Sequence, residues 1–262
     1  MDSVVRPVEE LMLLGTSMGG ARPKAVVEYE QHLWIAKFGM LDDRWNYPRV
    51  EYGMLRLAKT CGLTVAESDI KDVGGRDVLL VRRFDRDRSG NSYYRYRMVS
   101  ALTLLQSDDS GFNQDWSYIF LADEIRRVST KPEADLQELF LRMCFNAAVS
   151  NLDDHPRNHA ILAKDRNWRL SPAFDLTPTP TISVERRDLA MSCGIHGRYA
   201  NRENLISQHG RFLLSKEEAA NLLDGVVDTV TNTWRSTMRQ AGVTEIDCET
   251  ISSAFLYEGF FY

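Results

Sequence analysis

The chain has 262 residues, a formal net charge of −5 at pH 7 and 44% hydrophobic residues. This length and composition are typical of a globular protein with a buried core, and they exclude a disordered or fibrous chain. The negative net charge argues against direct binding to nucleic acid, because such binding requires a positive surface. The four cysteines are far apart and include no Cys-x-x-Cys pair, so they predict neither a zinc cluster nor a disulfide framework.

The N-terminal segment and the longest apolar runs bear on cellular location. Residues 1–15 contain a short apolar stretch that is interrupted by Glu9 and Glu10 and has no basic run before it, so no signal peptide is expected. No window of the sequence approaches the ~18 consecutive apolar residues that a membrane helix needs. The sequence therefore predicts a cytoplasmic protein that does not contact a membrane.

The elements predicted for residues 1–85 are short strands and one helix. Apolar runs separated by glycine-containing turns predict three strands, at 25–27, 33–38 and 77–81. Between Pro48 and Gly62 the apolar residues keep helical spacing, so a helix is predicted there. We therefore expect a small antiparallel sheet with one helix in this part of the chain.

From about Asp85 onward the pattern changes to long helical segments. One apolar stripe at helical spacing predicts a helix that ends near Asn151. The stripe consists of Leu136, Phe140, Met143 and Ala147. Ser215 and Glu218 give the capping-box signal of a helix that runs to about Gln240. The sequence thus predicts an α+β protein with a mostly β lobe, residues 1–85, and a mostly α lobe, residues 86–262.

The most informative segment, NLDDHPRN, directly follows the apolar helix. Its Asp153 and Asn158 lie five residues apart on a predicted loop. In the catalytic loops of phosphoryl-transfer enzymes, an Asp orients the substrate hydroxyl and an Asn helps to hold Mg²⁺. The alternative is a polar turn that ends the helix and begins the next strand, because Asp-x4-Asn alone is a weak pattern.

A second carboxylate, Asp175, follows two strand-like runs at 160–163 and 168–170. Two short strands would bring Asp175 back to the loop that carries Asp153. There it can bridge Mg²⁺ to nucleotide phosphates, because Mg²⁺ takes one or two carboxylates together with phosphate oxygens and water. The alternative is that Asp175 caps the turn at 177–180.

A glycine-containing segment, GTSMGGARPK, precedes the first predicted strand and ends at Lys24. Backbone N–H groups of such a loop approach phosphates closely, because glycine lacks a Cβ atom. The segment is not a Walker A motif, since no Gly-Lys-Ser/Thr sequence ends it. The alternative is an ordinary hairpin loop.

Lys37 lies in the otherwise apolar strand LWIAKF, where a charge requires an anionic partner. A lysine there can reach the α- and β-phosphates of a nucleotide and pair with an acidic residue on the next helix. Glu51 is the best placed acidic residue. The alternative is a lysine at a sheet edge whose ammonium group extends into solvent.

In chain order, these features match the arrangement of protein kinases, and the sequence also resembles a named family. It is similar to the HipA-like serine/threonine kinases, the toxin kinases of bacterial toxin–antitoxin modules. The matching segments are SMGGARPK, LWIAKF, VEYGMLRLAKTCGL, LLVRRFDR, NLDDHPRNH, SPAFDLTPTP and LAMSCGIHGRY. The resemblance implies a two-lobed protein-kinase-like fold and a serine/threonine protein kinase that uses ATP and Mg²⁺.

The resemblance also implies roles for individual residues. Asp153 would be the catalytic aspartate, Asn158 and Asp175 the metal ligands, and Lys37 the phosphate-binding lysine, with Glu51 as its partner. Further contacts to the nucleotide would come from the glycine-containing loop, a hinge and a histidine: Gly19, Gly20, Ala21, Arg22, Lys24, Arg82, Arg83, Phe84 and His155.

Two of these implied roles have features of their own. The hinge 82–84 would bind adenine through its backbone, and Arg82 stands where family members often have a glutamate. Backbone contacts do not depend on that difference. Ser17 matches the serine that family kinases autophosphorylate.

Partners are implied by the same resemblance. Full-length family members carry a further subdomain before the glycine-containing loop, whereas here the matching core begins close to Met1. This resembles the short form in which a separate small protein supplies that subdomain. The expected partners are a protein substrate, a helix-turn-helix antitoxin and such a small protein, with no direct contact to nucleic acid.

Three other functions remain open at this point. His155 and His159 are four residues apart, a spacing that on a helix suits zinc, but Pro156 favours a loop and no Glu follows the first histidine. A small-molecule phosphotransferase of the antibiotic-kinase type would share the Asp-x4-Asn loop and the later Asp. The RFDR segment argues against it. A kinase-like binding protein without activity is disfavoured because all expected catalytic positions are filled.

Overall fold

The computed structural model describes residues 22–108, 116–181 and 183–262. Its first part is a four-stranded antiparallel sheet with the strand order β1-β2-β4-β3. The strands are β1 (Lys24–Tyr29), β2 (His32–Phe38), β3 (Ser68–Val73) and β4 (Arg76–Arg82). The three predicted strands are confirmed. The edge strand β3 escaped prediction because its sequence, SDIKDV, is mostly polar and partly exposed.

Helix α1 (Tyr47–Thr60) connects β2 to β3 and confirms the helix predicted between Pro48 and Gly62. The Asn46 side chain caps its N-terminus by accepting a hydrogen bond from the amide of Arg49 at 3.1 Å. Pro48 suits the first turn, because an N–H group at that position would have no acceptor within the helix. The buried face of α1 includes Val50, Met54, Leu57 and Ala58.

The remaining strands form a hairpin and a three-stranded sheet. The hairpin pairs β5 (Arg86–Ser89) with β6 (Ser92–Arg95). The second sheet has the order β7-β8-β9, formed by β7 (Arg97–Ser100), β8 (Ala160–Lys164) and β9 (Asn167–Leu170). The strand-like runs at 160–163 and 168–170 are therefore confirmed as β8 and β9.

The expectation of long helices from about Asp85 onward was wrong for residues 86–100, which form β5, β6 and β7. Their side chains are largely polar and exposed, so the alternation of buried and exposed residues that marks a strand is missing. The turn between β5 and β6 contains Gly90 at φ 60°, a left-handed conformation that glycine adopts without strain.

The described residues of the second part form helices of 4 to 25 residues. They are α2 (Ala101–Leu104), α3 (Tyr118–Val128), α4 (Pro132–Ala148), α5 (Arg202–Ser207), α6 (Lys216–Gln240) and α7 (Glu245–Ile251). Helix α4 is the helix of the predicted apolar stripe, and α6 begins with the predicted capping box of Ser215 and Glu218. Short 3-10 turns lie at Pro156–Asn158, His209–Phe212, Ser252–Ala254 and Glu258–Phe260. None of the described helices has the length and apolarity needed to span a membrane.

One large hydrophobic cluster joins α1 to the helices of the second part. Met54 and Leu57 of α1 belong to it together with Phe140 of α4 and Met238 of α6. The division into lobes at residues 1–85 and 86–262 stays a prediction, and this core crosses it. Helix α1 thus packs against α6 on one side and against the first sheet on the other.

The contact between α1 and α6 depends on Gly53. A Cβ atom added there would lie 2.5 Å from Sδ of the fully buried Met238. Gly225, on the exposed side of α6, has nothing within 4 Å of an added Cβ. Two chemically identical substitutions therefore meet opposite surroundings.

We expect Gly53→Ala to destabilise the protein and Gly225→Ala to stabilise it. Overpacking a core costs about 1–3 kcal/mol, more than the roughly 1 kcal/mol gained by replacing a helical glycine with alanine. At position 225 only the helical gain remains. Urea unfolding of the two variants and the wild type measures both free energies. A stabilised Gly53→Ala variant would contradict the close packing of α1 on α6.

Candidate active site

The ammonium group of Lys37 lies between two carboxylates. Its Nζ is 2.6 Å from Oε1 of Glu51 and 2.6 Å from Oδ1 of Asp175. Strand alternation explains the direction of the side chain: Trp34, Ala36 and Phe38 face the small core of the first sheet, so Lys37 faces the other side, toward α1. The predicted pairing of Lys37 with Glu51 is present, and Asp175 joins it.

The charges of this triad are strongly coupled. Burial alone would lower the pKa of Lys37, but Glu51 and Asp175 outweigh burial and raise the pKa above its ordinary value. Burial raises the pKa of Glu51, which is 6% exposed, against the opposing effect of Lys37. Lys37 is therefore an ammonium ion at neutral pH. Two carboxylates against one ammonium leave the triad short of positive charge.

Asp175 reaches the triad through an unusual backbone conformation. Its φ of 59° lies in the left-handed region, which Asp tolerates better than most residues. Just before it, Ala173 donates to the carbonyl of Thr64 and accepts from the amide of Ala66, both at 2.8 Å. These bonds fix the segment against the connection between α1 and β3. The side chain of Asp175 is 40% exposed, so part of its carboxylate faces solvent.

Burial tends to raise the pKa of Asp175, but Lys37 outweighs burial and the pKa lies below its ordinary value. Lys24 and His155 act in the same direction. Lys24 is directly opposite Lys37 in the β1–β2 register. Asp175 is therefore ionised at neutral pH, a requirement for a metal ligand.

The loop 151–158 connects the end of α4 to β8 and places its two adjacent aspartates differently. Asp153 is exposed, whereas Asp154 is 1% exposed. The 3-10 turn Pro156–Asn158 shapes the loop, and Nδ2 of Asn158 donates to the carbonyl of Asp153 at 3.4 Å. Of the two aspartates, only Asp153 can meet a substrate from solvent.

A buried polar network lies beneath this loop. Oδ2 of Asp154 accepts hydrogen bonds from Nε2 of His159, at 2.7 Å, and from the hydroxyl of Tyr118. Nδ2 of Asn146 donates to the Tyr118 oxygen at 3.2 Å. Burial would raise the pKa of Asp154, but His159 outweighs burial and the pKa is lowered. The network anchors the loop from the residue next to Asp153.

Sequence reasoning missed this network. Tyr118 is 36 residues from Asp154 and lies on α3, so no local pattern connects them. The available signal was the second aspartate of the Asp-Asp pair together with His159, five residues later. The sequence offered no means of separating the exposed aspartate from the buried one.

The oxygen donors near the cleft fit Mg²⁺ better than zinc. Asp175 supplies a partly exposed carboxylate, and Asn158 supplies an amide on the adjacent loop. Mg²⁺ is commonly held by one or two such groups, with the remaining positions taken by phosphates and water. Within 22–108, 116–181 and 183–262, no group of three or more His, Cys, Asp or Glu side chains is arranged to hold a metal.

The hinge residues lie at the end of β4. The amide of Arg82 donates to the carbonyl of Glu67 at 2.8 Å, and the amide of Arg83 donates to the carbonyl of Leu33 at 2.9 Å. In the described part of the chain, no backbone carbonyl accepts from the amide of Phe84. A cavity of about 330 Å³ lies beside all three residues and is also lined by Leu162.

The residues of the glycine-containing loop divide into two groups. Ser17, Gly19, Gly20 and Ala21 lie outside the described residues. Arg22 donates two hydrogen bonds to Asp43, at 2.9 and 2.6 Å, and lies 3.4 Å from the ring centre of Tyr47. Its guanidinium group is thus engaged near the start of α1. The expected contact of Arg22 with a nucleotide stays a prediction.

The chain is similar to known proteins. The model of the HipA-like C-terminal domain family matches residues 16–234. The putative kinase Y4mE of Sinorhizobium fredii (strain NBRC 101917 / NGR234) is 28% identical over 145 residues, which are 54% of this chain and 34% of Y4mE.

Two solved structures have a similar fold. HipA of Shewanella oneidensis MR-1, solved with HipB and its operator DNA, matches with a TM-score of 0.72 and 18% identity over 91% of this chain and 62% of that one. The Helicobacter pylori proinflammatory kinase CtkA matches with a TM-score of 0.57 and 14% identity, covering 88% of this chain and 92% of CtkA. The α+β, kinase-like fold is therefore confirmed. The chain spans about a third of Y4mE and less than two thirds of the Shewanella protein.

We expect the adjacent aspartates to separate stability from chemistry. Asp154→Ala leaves the buried donors of Tyr118 and His159 without their acceptor, and each such loss costs about 1–3 kcal/mol. Asp153→Ala changes an exposed side chain and shifts stability by about 0.5 kcal/mol or less. Urea unfolding of both variants measures the difference. Equal stabilities would contradict the burial of Asp154.

Proposed function

The chain belongs to the HipA-like C-terminal domain family, and we propose that it is a protein kinase that transfers the γ-phosphoryl group of ATP to serine or threonine. The observation that carries this proposal is the Lys37 ammonium held between Glu51 and Asp175. In kinases, a strand lysine paired with a helix glutamate positions the nucleotide phosphates. Here the same pair lies beside an ionised, partly exposed Asp175.

We assign the remaining roles from charge and exposure. Asp153 accepts the proton of the substrate hydroxyl, because it is the solvent-exposed aspartate of the loop. Asp175 and Asn158 would hold Mg²⁺, which when bound neutralises charge on the phosphate oxygens. Lys37 offsets negative charge on the phosphates, and Glu51 keeps its ammonium group in place. The Asp154 network holds the loop that presents Asp153.

The adenine base would bind along the hinge. The amides of Arg82 and Arg83 already donate within the protein, which leaves the amide of Phe84 for the base. The role of Arg82 is then structural, because its guanidinium group is paired with Glu67 at 2.7 Å. The difference from the family glutamate at this position does not disturb a backbone-mediated contact.

We further propose that the kinase is the toxin of a toxin–antitoxin module and works with partners. The Shewanella relative of similar fold was solved with HipB and operator DNA. The net charge of −5 supports DNA contact through a helix-turn-helix antitoxin rather than through this chain.

Replacing Asp153 tests the chemistry. Asp153→Ala is expected to lower the rate of protein phosphorylation by orders of magnitude, because the substrate hydroxyl loses its positioning carboxylate. The control is Asp228→Ala, which removes an exposed carboxylate from α6. Incubation with labelled ATP and cell lysate, followed by gel separation, measures both variants. Normal phosphotransfer by Asp153→Ala would refute the assignment, and labelled small molecules without labelled protein would favour a small-molecule phosphotransferase.

Replacing Asp175 tests nucleotide binding. Asp175→Asn retains a residue that tolerates the left-handed backbone, but it removes the charge that attracts Mg²⁺. At 100-fold excess over Kd, MgATP should raise the Tm of the wild type by roughly 5–10 °C. The variant should lose most of this shift, whereas Asp153→Asn should keep it. An undiminished shift for Asp175→Asn would exclude Asp175 as the metal ligand.

Ser17 is the proposed site of autophosphorylation. A phosphate there carries about −1.5 to −2 charges and would repel the ATP phosphates that the same loop must cover, so ATP affinity should fall. Mass spectrometry of the wild type and of Asp153→Ala detects the modification. Phosphate on Ser17 in both proteins would point to another kinase. Unmodified Ser17 in the active form would remove the proposal.

A further inference from the structure

A groove with a volume of about 760 Å³ runs along α1. We call it the α1 groove. Its walls are the last turns of α1, the connection 63–68 and the end of α6. Cavities of this size accept a few side chains, as in small-molecule and peptide sites, rather than a folded domain.

The walls of the α1 groove are connected to the Lys37 triad. Leu55 lines the groove one helical turn after Glu51 on the same helix. Ala66 also lines it, and its amide donates to the carbonyl of Ala173, two residues before Asp175. The groove therefore contacts both elements that carry the carboxylate partners of Lys37.

The connection continues to the hinge. Ala66 and Glu67 line both the α1 groove and the smaller cavity beside the hinge. Glu67 accepts from the backbone amide of Arg82 through its carbonyl and pairs with the Arg82 side chain through its carboxylate. A ligand in the groove would thus press on the segment that separates it from the hinge cavity.

The chemistry of the lining indicates the occupant. Arg56 and Lys59 lie on one edge, both exposed, and no carboxylate of the described residues lies within ion-pair distance of either. The only acidic lining residue among those described, Glu67, is neutralised by Arg82. Lys59 lies in the last turn of α1, where its charge suits the helix dipole, and the guanidinium group of Arg56 lies 5.7 Å from the ring centre of Tyr52. Neither contact supplies a negative charge.

The floor beneath these cations is apolar. Its accessible apolar surface comes from the half-buried Tyr52 and Val65, because Leu55 and Leu63 are almost completely buried. A positive edge over an apolar floor complements a segment that combines carboxylates with one or two apolar side chains. A purely polar anion would leave Tyr52 and Val65 uncovered, and a purely apolar segment would leave both cations without a negatively charged partner.

We propose that the α1 groove is a docking site for an acidic, partly apolar segment of another protein. Carboxylates of the segment pair with Arg56 and Lys59 while an apolar side chain packs on Tyr52 and Val65. Because the groove is formed in the conformation that places Glu51 and Asp175 on Lys37, the docked segment stabilises that conformation. MgATP affinity then rises, and MgATP strengthens docking by the same factor. This effect on MgATP rests on the proposed kinase function, whereas docking does not.

Fluorescence anisotropy tests docking directly. The probe is a short labelled peptide in which glutamates flank leucines, and the wild type should bind it saturably. Arg56→Ala/Lys59→Ala should bind about tenfold more weakly, equivalent to about 1.4 kcal/mol. The matched control, Arg126→Ala/Arg127→Ala, removes two exposed cations from α3 and should bind like the wild type. A peptide that does not bind, or binds both double variants equally, would overturn the proposal.

Two further probes separate the sources of affinity. Replacing the leucines of the peptide with serine should weaken binding, because the apolar floor then stays uncovered. A second variant, Thr64→Trp, places a large side chain at an exposed lining position and should block the groove without removing charge. If the serine peptide or a single-stranded oligonucleotide binds as tightly as the probe, the site reads charge alone and the assignment to a protein segment is wrong.

Coupling is measured by titrating MgATP with and without saturating peptide. Tighter MgATP binding in the presence of peptide, lost in Arg56→Ala/Lys59→Ala, supports the proposed linkage. Peptide binding with unchanged MgATP affinity would overturn the linkage and leave docking intact. Peptide binding by a protein that does not bind MgATP at all would instead refute the proposed function while supporting the groove.

Discussion

The ammonium group of Lys37 is the point on which the structure of the site depends. It brings together a sheet strand, a helix and a loop that are far apart in sequence, since Asp175 lies 138 residues from Lys37. Each partner would be costly in its place without the others, because a buried charge needs an opposite charge nearby. The ion pair with Lys37 offsets the cost of the left-handed backbone conformation of Asp175.

The loop with Asp153 is organised on a different principle. The side chain of Asp153 is exposed, and its neighbour Asp154 is fixed by Tyr118 and His159. The hydrogen bonds of Asp154 fix the position of the adjacent Asp153, and they do not engage the Asp153 carboxylate. The site therefore combines two kinds of order. Ion pairs hold Lys37, Glu51 and Asp175 together, and buried hydrogen bonds to Asp154 hold the loop that carries Asp153.

The sequence predicted what local spacing can encode. The apolar stripe of α4, the capping box of α6 and the reach from Lys37 to Glu51 each depend on residues within one element or two successive ones. Contacts between distant elements were harder to foresee. The Tyr118–Asp154 bond and the pairing of Arg22 with Asp43 have no local signature, and β5 to β7 lack the alternation of buried and exposed residues. Resemblance to a family supplied the roles that spacing alone could not.

The packing of α1 has a mechanical consequence. Met54 and Leu57 share their core with Phe140 and Met238, so lifting α1 away from α6 would expose side chains worth about 1.5–3 kcal/mol each. Helix α1 is bonded to the sheet as well, because the guanidinium group of Arg49 donates two hydrogen bonds of 2.6 Å to Asp77 of β4. The helix thus acts as a rigid spacer between β2, which carries Lys37, and the second part of the chain.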